Sequence, residues 1–175
     1  MKLFLDFDGV VNFDASRSKY NRNRDGLGYL RRDTIHSRHG SFSVNYSSEL
    51  VKKLNDLHAL YKFDWKWLTT WVNEAVSLVD PRVGTHSNGF VDWDPETGIT
   101  RDNLVSERAK RKYAALKANY NGEPFIWVDD EATVEFVASD FDVPTLVVAP
   151  DPLYGITRTD LTRISDFLAA HAGGN

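Results

Sequence analysis

Two carboxylates close the first apolar run of the chain, where Leu3-Phe4-Leu5 leads into Asp6-Phe7-Asp8-Gly9-Val10. Side chains alternate along a strand, so Asp6 and Asp8 would share a face if the strand continued. At its carboxyl end they crowd one spot where the chain turns. Like charges at short range do not both stay ionised cheaply without a cation or a shared proton. Two more acids, Asp129 and Asp130, follow the apolar run Phe125-Ile126-Trp127-Val128, and Thr69 and Thr70 follow Trp67-Leu68. Carboxylates gathered in this way need a cation. Hard oxygen ligands suit Mg2+, which takes one or two carboxylates and keeps several waters. A threonine hydroxyl and a lysine ammonium are donors for phosphate oxygens. Together the set describes phosphoryl transfer: a carboxylate nucleophile, a metal and donors around a phosphate.

The elements that must position these groups follow from periodicity. KLFLDF is of strand length and ends at the acid pair and Gly9. Within the polar stretch that follows, YLRRDTIHSRHGSFSVNY predicts a β-hairpin around Arg38-His39-Gly40. From Ser47 a helix is predicted, with Leu50, Val51, Leu54, Leu57 and Leu60 at helical spacing. FDWKWLTTW alternates Phe63, Trp65 and Trp67 and reads as a second strand ending at the threonines. A short helix near Asn73 to Val79 is expected to stop before Pro81, and HSNGFVDWDPETGIT reads as turns around short extended pieces. SERAKRKYAALKANY is helical, with Ala109, Tyr113, Leu116 and Tyr120 on one face. PFIWVDDE is a third strand, TVEFVASD a short helix and VPTLVVAP a fourth apolar run. The last helix starts at Thr157 and Asp160, spaced as a capping box. Alternating strands and helices predict an α/β fold with a mainly parallel sheet covered on both faces. Ligands bind such sheets at the carboxyl ends of the strands, where Asp6, Asp8, Thr69, Thr70, Asp129 and Asp130 converge.

With 175 residues, 42% hydrophobic and 26% charged, the chain reads as one globular domain over 1–175. The net charge of -4 gives no global pull toward nucleic acid or anionic membrane. Cysteine is absent, which excludes thiolate catalysis and cysteine-ligated zinc and suits a reducing cytoplasm. No secretory leader and no apolar stretch of membrane-spanning length is present, so a cytoplasmic protein without membrane contact is expected. Locally, residues 14–45 are basic: Arg17, Lys19, Arg22, Arg24, Arg31, Arg32 and Arg38 stand against Asp14, Asp25 and Asp33. Such a flap would attract a polyanion; equally, it reads as a solvated loop.

These residues resemble the haloacid dehalogenase (HAD) superfamily. LFLDFDGVVN is similar to its first motif, in the Asp-x-Asp-Gly-Val form of the phosphatases. WKWLTTW resembles the second, in which an apolar strand ends in Thr or Ser, and KYAALKANYNGEPFIWVDDE the third and fourth, a helical Lys and then an acidic pair. WLTTW and PFIWVDDE are most similar to a small group from actinobacteria and their phages, related to the HAD domains of RNA-repair proteins. The resemblance implies a Rossmann-like three-layer core with a small cap insertion at 14–45. It implies that Asp6 attacks phosphorus to give an aspartyl-phosphate, and that Asp8 protonates the leaving oxygen and then activates water. Thr69 would bond a phosphoryl oxygen, with Thr70 the alternative. Mg2+ would be held by Asp6, the Asp8 backbone carbonyl, Asp129 and Asp130. Asp130 matches the more usual ligand position, although the paired acids leave the division between them open. Lys110, Lys112 and Lys117 all lie in the helix. Lys112 is chosen because it runs along the face of Ala109 and Leu116, whereas Lys110 lies about 200° around the helix from it.

The expected function is therefore a Mg2+-dependent phosphomonoester hydrolase. Its substrate would be a phosphorylated small molecule, such as a nucleotide, or a nucleic-acid end; the oligomeric state stays open. Asp8 sets the chain apart from dehalogenases, which lack this second acid, and from ATPase pumps, which carry Thr there. The rival is a non-catalytic or phosphoacceptor module binding nucleic acid or a protein. Receiver-type phosphoacceptors, however, place the acceptor after the third strand and the acid pair early, opposite to this order.

Overall fold

A computed structural model describes residues 1–14, 27–28, 30–95, 104–132 and 140–172. Four short strands form one parallel sheet: β1 (Lys2–Leu5), β4 (Asp64–Trp67), β5 (Phe125–Val128) and β6 (Thr145–Val148), in the order β4-β1-β5-β6. The two acid-bearing strands are therefore neighbours, with Leu5 level with Val128, and the threonine-bearing β4 flanks β1 on its other side, with Leu5 level with Trp67. Strands covered on both faces need apolar side chains on both, which is why Phe125, Ile126, Trp127 and Val128 are all buried.

Alternation along the strands divides the core. Leu3, Leu5, Trp65, Trp67, Ile126 and Val128 pack on one face with α1 (Ser48–Tyr61) and α3 (Arg158–His171). Phe4, Phe125 and Trp127 pack on the other with Leu116 of α2 (Leu104–Asn119). The result is a mixed α/β, three-layer Rossmann-like core. In α1 the buried stripe is Leu50, Val51 and Leu54; Leu60, expected on the same face, is 68% exposed at the helix end. The start of α3 is fixed as its sequence implies, by Thr157 and Asp160 bonded reciprocally as a capping box.

Between β1 and α1 lies an antiparallel hairpin, β2 (Leu30–Ser37) and β3 (Gly40–Ser47), turning at Arg38 and His39. Its inner face buries Ile35, Val44 and Tyr46 against the core. Arg31, Arg32 and Arg38 are exposed on it, whereas Arg17, Lys19, Arg22 and Arg24 lie outside the described residues.

The helix expected to stop before Pro81 does not. Ala75–Gly84 forms a π-helical stretch with Pro81 inside it. Proline fails in an α-helix because its ring meets the carbonyl four residues back and it lacks an N–H; the wider π turn moves that carbonyl away. The stretch is also pinned from outside, since the Asp80 carboxylate accepts bonds from Trp67 Nε1 (2.9 Å), Thr85 Oγ1 (2.6 Å) and Ser87 Oγ. The short helix expected over TVEFVASD lies largely outside the described residues. No described helix is long and apolar enough to cross a membrane.

Candidate active site

The chain leaves β1 at Asp6, whose N–H bonds the Val128 carbonyl at 2.9 Å, and leaves β5 at Asp129, whose N–H bonds the Val148 carbonyl at 3.1 Å. Sheet pairing thus carries both acids to one rim. Asp6, Asp129 and Asp130 each place a carboxylate oxygen within 4.8 Å of the others. Room for the third acid comes from Gly9. Its backbone is left-handed (φ 75°), and a β-carbon there would lie 2.4 Å from the Asp130 carboxyl carbon.

Among the described residues one cation enters this cluster. Lys112 is buried, ion-pairs with Asp6, lies 2.8 Å from Asp129 and reaches to 3.9 Å from Glu131. Burial opposes its charge, but Asp6 and Asp129 more than offset this and hold the ammonium above its usual range. One ammonium does not neutralise the acids. Burial, and then the Asp6 charge, push the Asp129 carboxyl up and lift Asp130 to about 6, against the pull of Lys112. Lys110 and Lys117 lie elsewhere, paired with Glu107 and Asp140.

Asp8 stands apart from the cluster and has its own donors. Asn12 Nδ2 donates to Oδ1 at 2.6 Å and Trp71 Nε1 donates to Oδ2 at 2.9 Å. Both donors are tied to β3. The Asn45 N–H bonds Asn12 Oδ1 at 2.8 Å. The Trp71 ring sits edge-on to Phe7 (5.9 Å between centroids) and to Phe42 (5.2 Å). Trp71 reaches Asp8 from a tight turn in which the next residue, Val72, has φ 47° and donates its N–H to the Thr69 carbonyl at 3.1 Å. Asp8 opens to solvent at the lip but is crowded by protein in a concave site. That crowding raises its carboxyl; the Asn12 bond opposes the shift and the Asp6 charge adds to it. A raised carboxyl is what a proton donor needs.

Thr69 follows β4 with its hydroxyl buried and without a hydrogen-bond partner among the described residues. An unpaired buried hydroxyl is costly unless a ligand completes it. Above these groups lies a cavity of about 360 Å³. Asp6, Asp8, Lys112 and Asp130 line it, while Asp129 and Thr69 lie beneath and Thr70 lines the wall. Ser43 and Asn45 of the hairpin, with Asp14, Arg108 and Glu131, also line it.

Asn12, Arg108, Glu131 and the hairpin's Ser43 and Asn45 were not singled out in the sequence, and Trp71 stood out there only as a ring beside a site threonine. Asn12 and the Asp8-bonding role of Trp71 depend on contacts across the fold, with Trp71 and Asp8 63 residues apart. Glu131 is the third acid of the DDE run, and Arg108 lies one helical turn before Lys112; both carry a local signal.

Acids at the ends of two adjacent parallel strands, a buried lysine from the helix that leads into the second of them and a threonine beyond a third strand make up the phosphatase-like layout of the HAD superfamily. The chain belongs to the family described as "HAD domain in Swiss Army Knife RNA repair proteins", which it matches over residues 2–161. No curated protein and no solved structure matches it.

Proposed function

We propose that the protein is a Mg2+-dependent phosphomonoester hydrolase acting through an aspartyl-phosphate on Asp6, with a nucleic-acid end phosphate as substrate. The observation that carries this reading is the division of labour among the acids. Asp6, Asp129 and Asp130 share one cluster around Lys112, while Asp8 is held out of it by Asn12 and Trp71. The donor set fits Mg2+: hard carboxylate oxygens, in excess over the one buried ammonium. Asp6, Asp129, Asp130 and the Asp8 carbonyl would hold it. Bound there, it would supply positive charge to phosphoryl oxygens and to the acids.

The residues then do the following. Asp6, oriented by the Phe7 N–H (2.7 Å to Oδ1), attacks phosphorus as the bond to the ester oxygen breaks, and Asp8 gives that oxygen its proton. The Thr69 hydroxyl, without a hydrogen-bond partner among the described residues, donates to a phosphoryl oxygen. Asp8, now a carboxylate, takes a proton from water as the water attacks phosphorus and the bond to Asp6 breaks. Phosphate leaves, with Asp6 restored. The nucleic-acid substrate rests on the family's RNA-repair description and on the exposed arginines of the hairpin.

The test is phosphate release from end-phosphorylated oligonucleotides, a nucleotide panel and p-nitrophenyl phosphate, with and without Mg2+. Asp6→Asn is expected to abolish release and Asp8→Asn to reduce it by about 10²–10⁴-fold. Release that persists in Asp6→Asn would sink the proposal. Folded protein that binds oligonucleotide but releases nothing would instead favour a binding module.

A further inference from the structure

We infer that Arg108 forms a second phosphate subsite at the mouth of the cavity, which engages the phosphodiester next to the phosphate being removed. The inference rests on the phosphatase reading above.

Arg108 precedes Lys112 by four residues on α2, so the two share a helix face about 6 Å apart along the axis. They differ in depth. The Lys112 side chain is 2% exposed, at the floor among the acids, whereas that of Arg108 is 26% exposed and lines the cavity further out. Arg108 has no contact with Asp6 or Asp129 among the described ion pairs. Among the described residues it meets Glu131, through Nη1 to Oε1 at 3.2 Å.

That pair is poorly made for a structural tie. A guanidinium that locks a carboxylate does so through two parallel bonds, each about 2.7–2.9 Å long. Here one bond forms, longer than that range, and the Nε of Arg108 is buried with no partner among the described residues. Glu131 Oε2 is likewise buried without a hydrogen bond among the described residues, with the Lys112 ammonium 3.9 Å away. The guanidinium keeps most of its donors for something else. Phosphate matches its fork geometry and a point-charge amine would not. The hairpin contributes only Ser43 and Asn45, polar and uncharged, to the described lining, so Arg108 is the cation that an anion there would meet besides Lys112, against the acids Asp8, Asp14, Asp130 and Glu131.

A phosphate attacked by Asp6 occupies the floor beside Lys112. An anion on Arg108 is therefore a different group, one turn of helix further out. In a nucleic-acid end, that group is the neighbouring phosphodiester. A nucleoside bisphosphate offers the same chemistry without a strand.

The experiment measures kcat/KM for an end-phosphorylated dinucleotide and for p-nitrophenyl phosphate, in the full-length protein and in Arg108→Gln. The ratio of the two is expected to fall at least about tenfold in the variant, the worth of one charge-assisted hydrogen bond. Arg108→Lys is expected to restore only part of it. A dinucleotide with a neutral methylphosphonate linkage probes the same contact without changing the protein. The wild type should lose a similar factor on it, and Arg108→Gln should lose little more. A nucleoside bisphosphate run alongside shows which source supplies the second phosphate, and Arg108 dependence of either supports the subsite. A ratio unchanged by Arg108→Gln, or a wild type indifferent to the neutral linkage, overturns the subsite and leaves the phosphatase reading standing. Failure of the wild type to hydrolyse any of these substrates overturns both.

Discussion

The indole of Trp71 donates to Asp8 at 2.9 Å while its ring packs on Phe7 and Phe42. Trp71→Phe removes the donor and keeps an aromatic ring between those neighbours. A hydrogen bond to a charged partner is worth roughly 1.5–3 kcal/mol. Asn12 still holds the other oxygen, so the lower end applies, which is about tenfold in rate. The loss should depend on the leaving group. On the proposed mechanism a sugar alkoxide leaves only with the proton from Asp8, whereas p-nitrophenolate leaves almost unaided. The quantity to measure is kcat/KM, which reports steps up to departure of the leaving group and is blind to later hydrolysis of the proposed aspartyl-phosphate. We expect Trp71→Phe to lower kcat/KM about tenfold for a nucleotide phosphate and less than about threefold for p-nitrophenyl phosphate. An equal fall for both would mean that Trp71 merely supports the site. No fall for either would mean that its bond to Asp8 contributes nothing to proton delivery.

Other perturbations follow from the same geometry. Thr69→Val removes a buried hydroxyl that lacks a partner among the described residues, so chemical denaturation should show about 1 kcal/mol more stability while phosphate release drops about tenfold or more. Gly9→Ala puts a β-carbon on a left-handed backbone and 2.4 Å from Asp130; it should cost more than about 2 kcal/mol in the same assay and abolish stimulation by Mg2+. The raised acids set a pH dependence. Asp130, lifted to about 6 by burial and then by Asp6, binds its proton more tightly folded than unfolded, so it destabilises the metal-free protein as pH climbs from its unfolded value through about 6. Asp8 and Glu131, also raised chiefly by their crowded surroundings, act in the same direction. Metal-free protein should therefore gain on the order of 1 kcal/mol between pH 7.5 and 5, after allowance for solvent screening, and saturating Mg2+ should flatten the trend in thermal melts. A metal-free protein that loses stability over that interval would contradict the assignment.

Much of this architecture is visible in one dimension because it rests on short-range rules. The apolar runs at Leu3, Trp65 and Phe125, the hairpin turn at Arg38-His39 and the Thr157–Asp160 cap each need only neighbouring residues. Helical period alone distinguished Lys112 from Lys110, and the two sit in quite different surroundings, one among buried acids and the other with Glu107 at the surface. What stayed hidden depends on long-range contact. Asn12 meets Asp8 in a local loop, but its orientation is set by Asn45, 33 residues on. Pro81 reads locally as a helix end; the π-helical stretch that accommodates it is anchored by Trp67 and by two hydroxyls beyond the stretch, through Asp80. Leu60 shows the converse error: its spacing is right, but it is 68% exposed at the helix end.

Val72 is a β-branched residue on a left-handed backbone, a conformation that disfavours it by roughly 1–2 kcal/mol. The turn that delivers the indole to Asp8 is thus locally frustrated: the chain would relax by letting Trp71 swing away, and the surrounding aromatic contacts hold it back. Glycine at this position would relieve that tension and also loosen the aim. On the proposed mechanism, local folding and proton delivery therefore pull in opposite directions at one residue. This turn, rather than the β1–β5 centre of the sheet, is where the molecule should open first in hydrogen exchange.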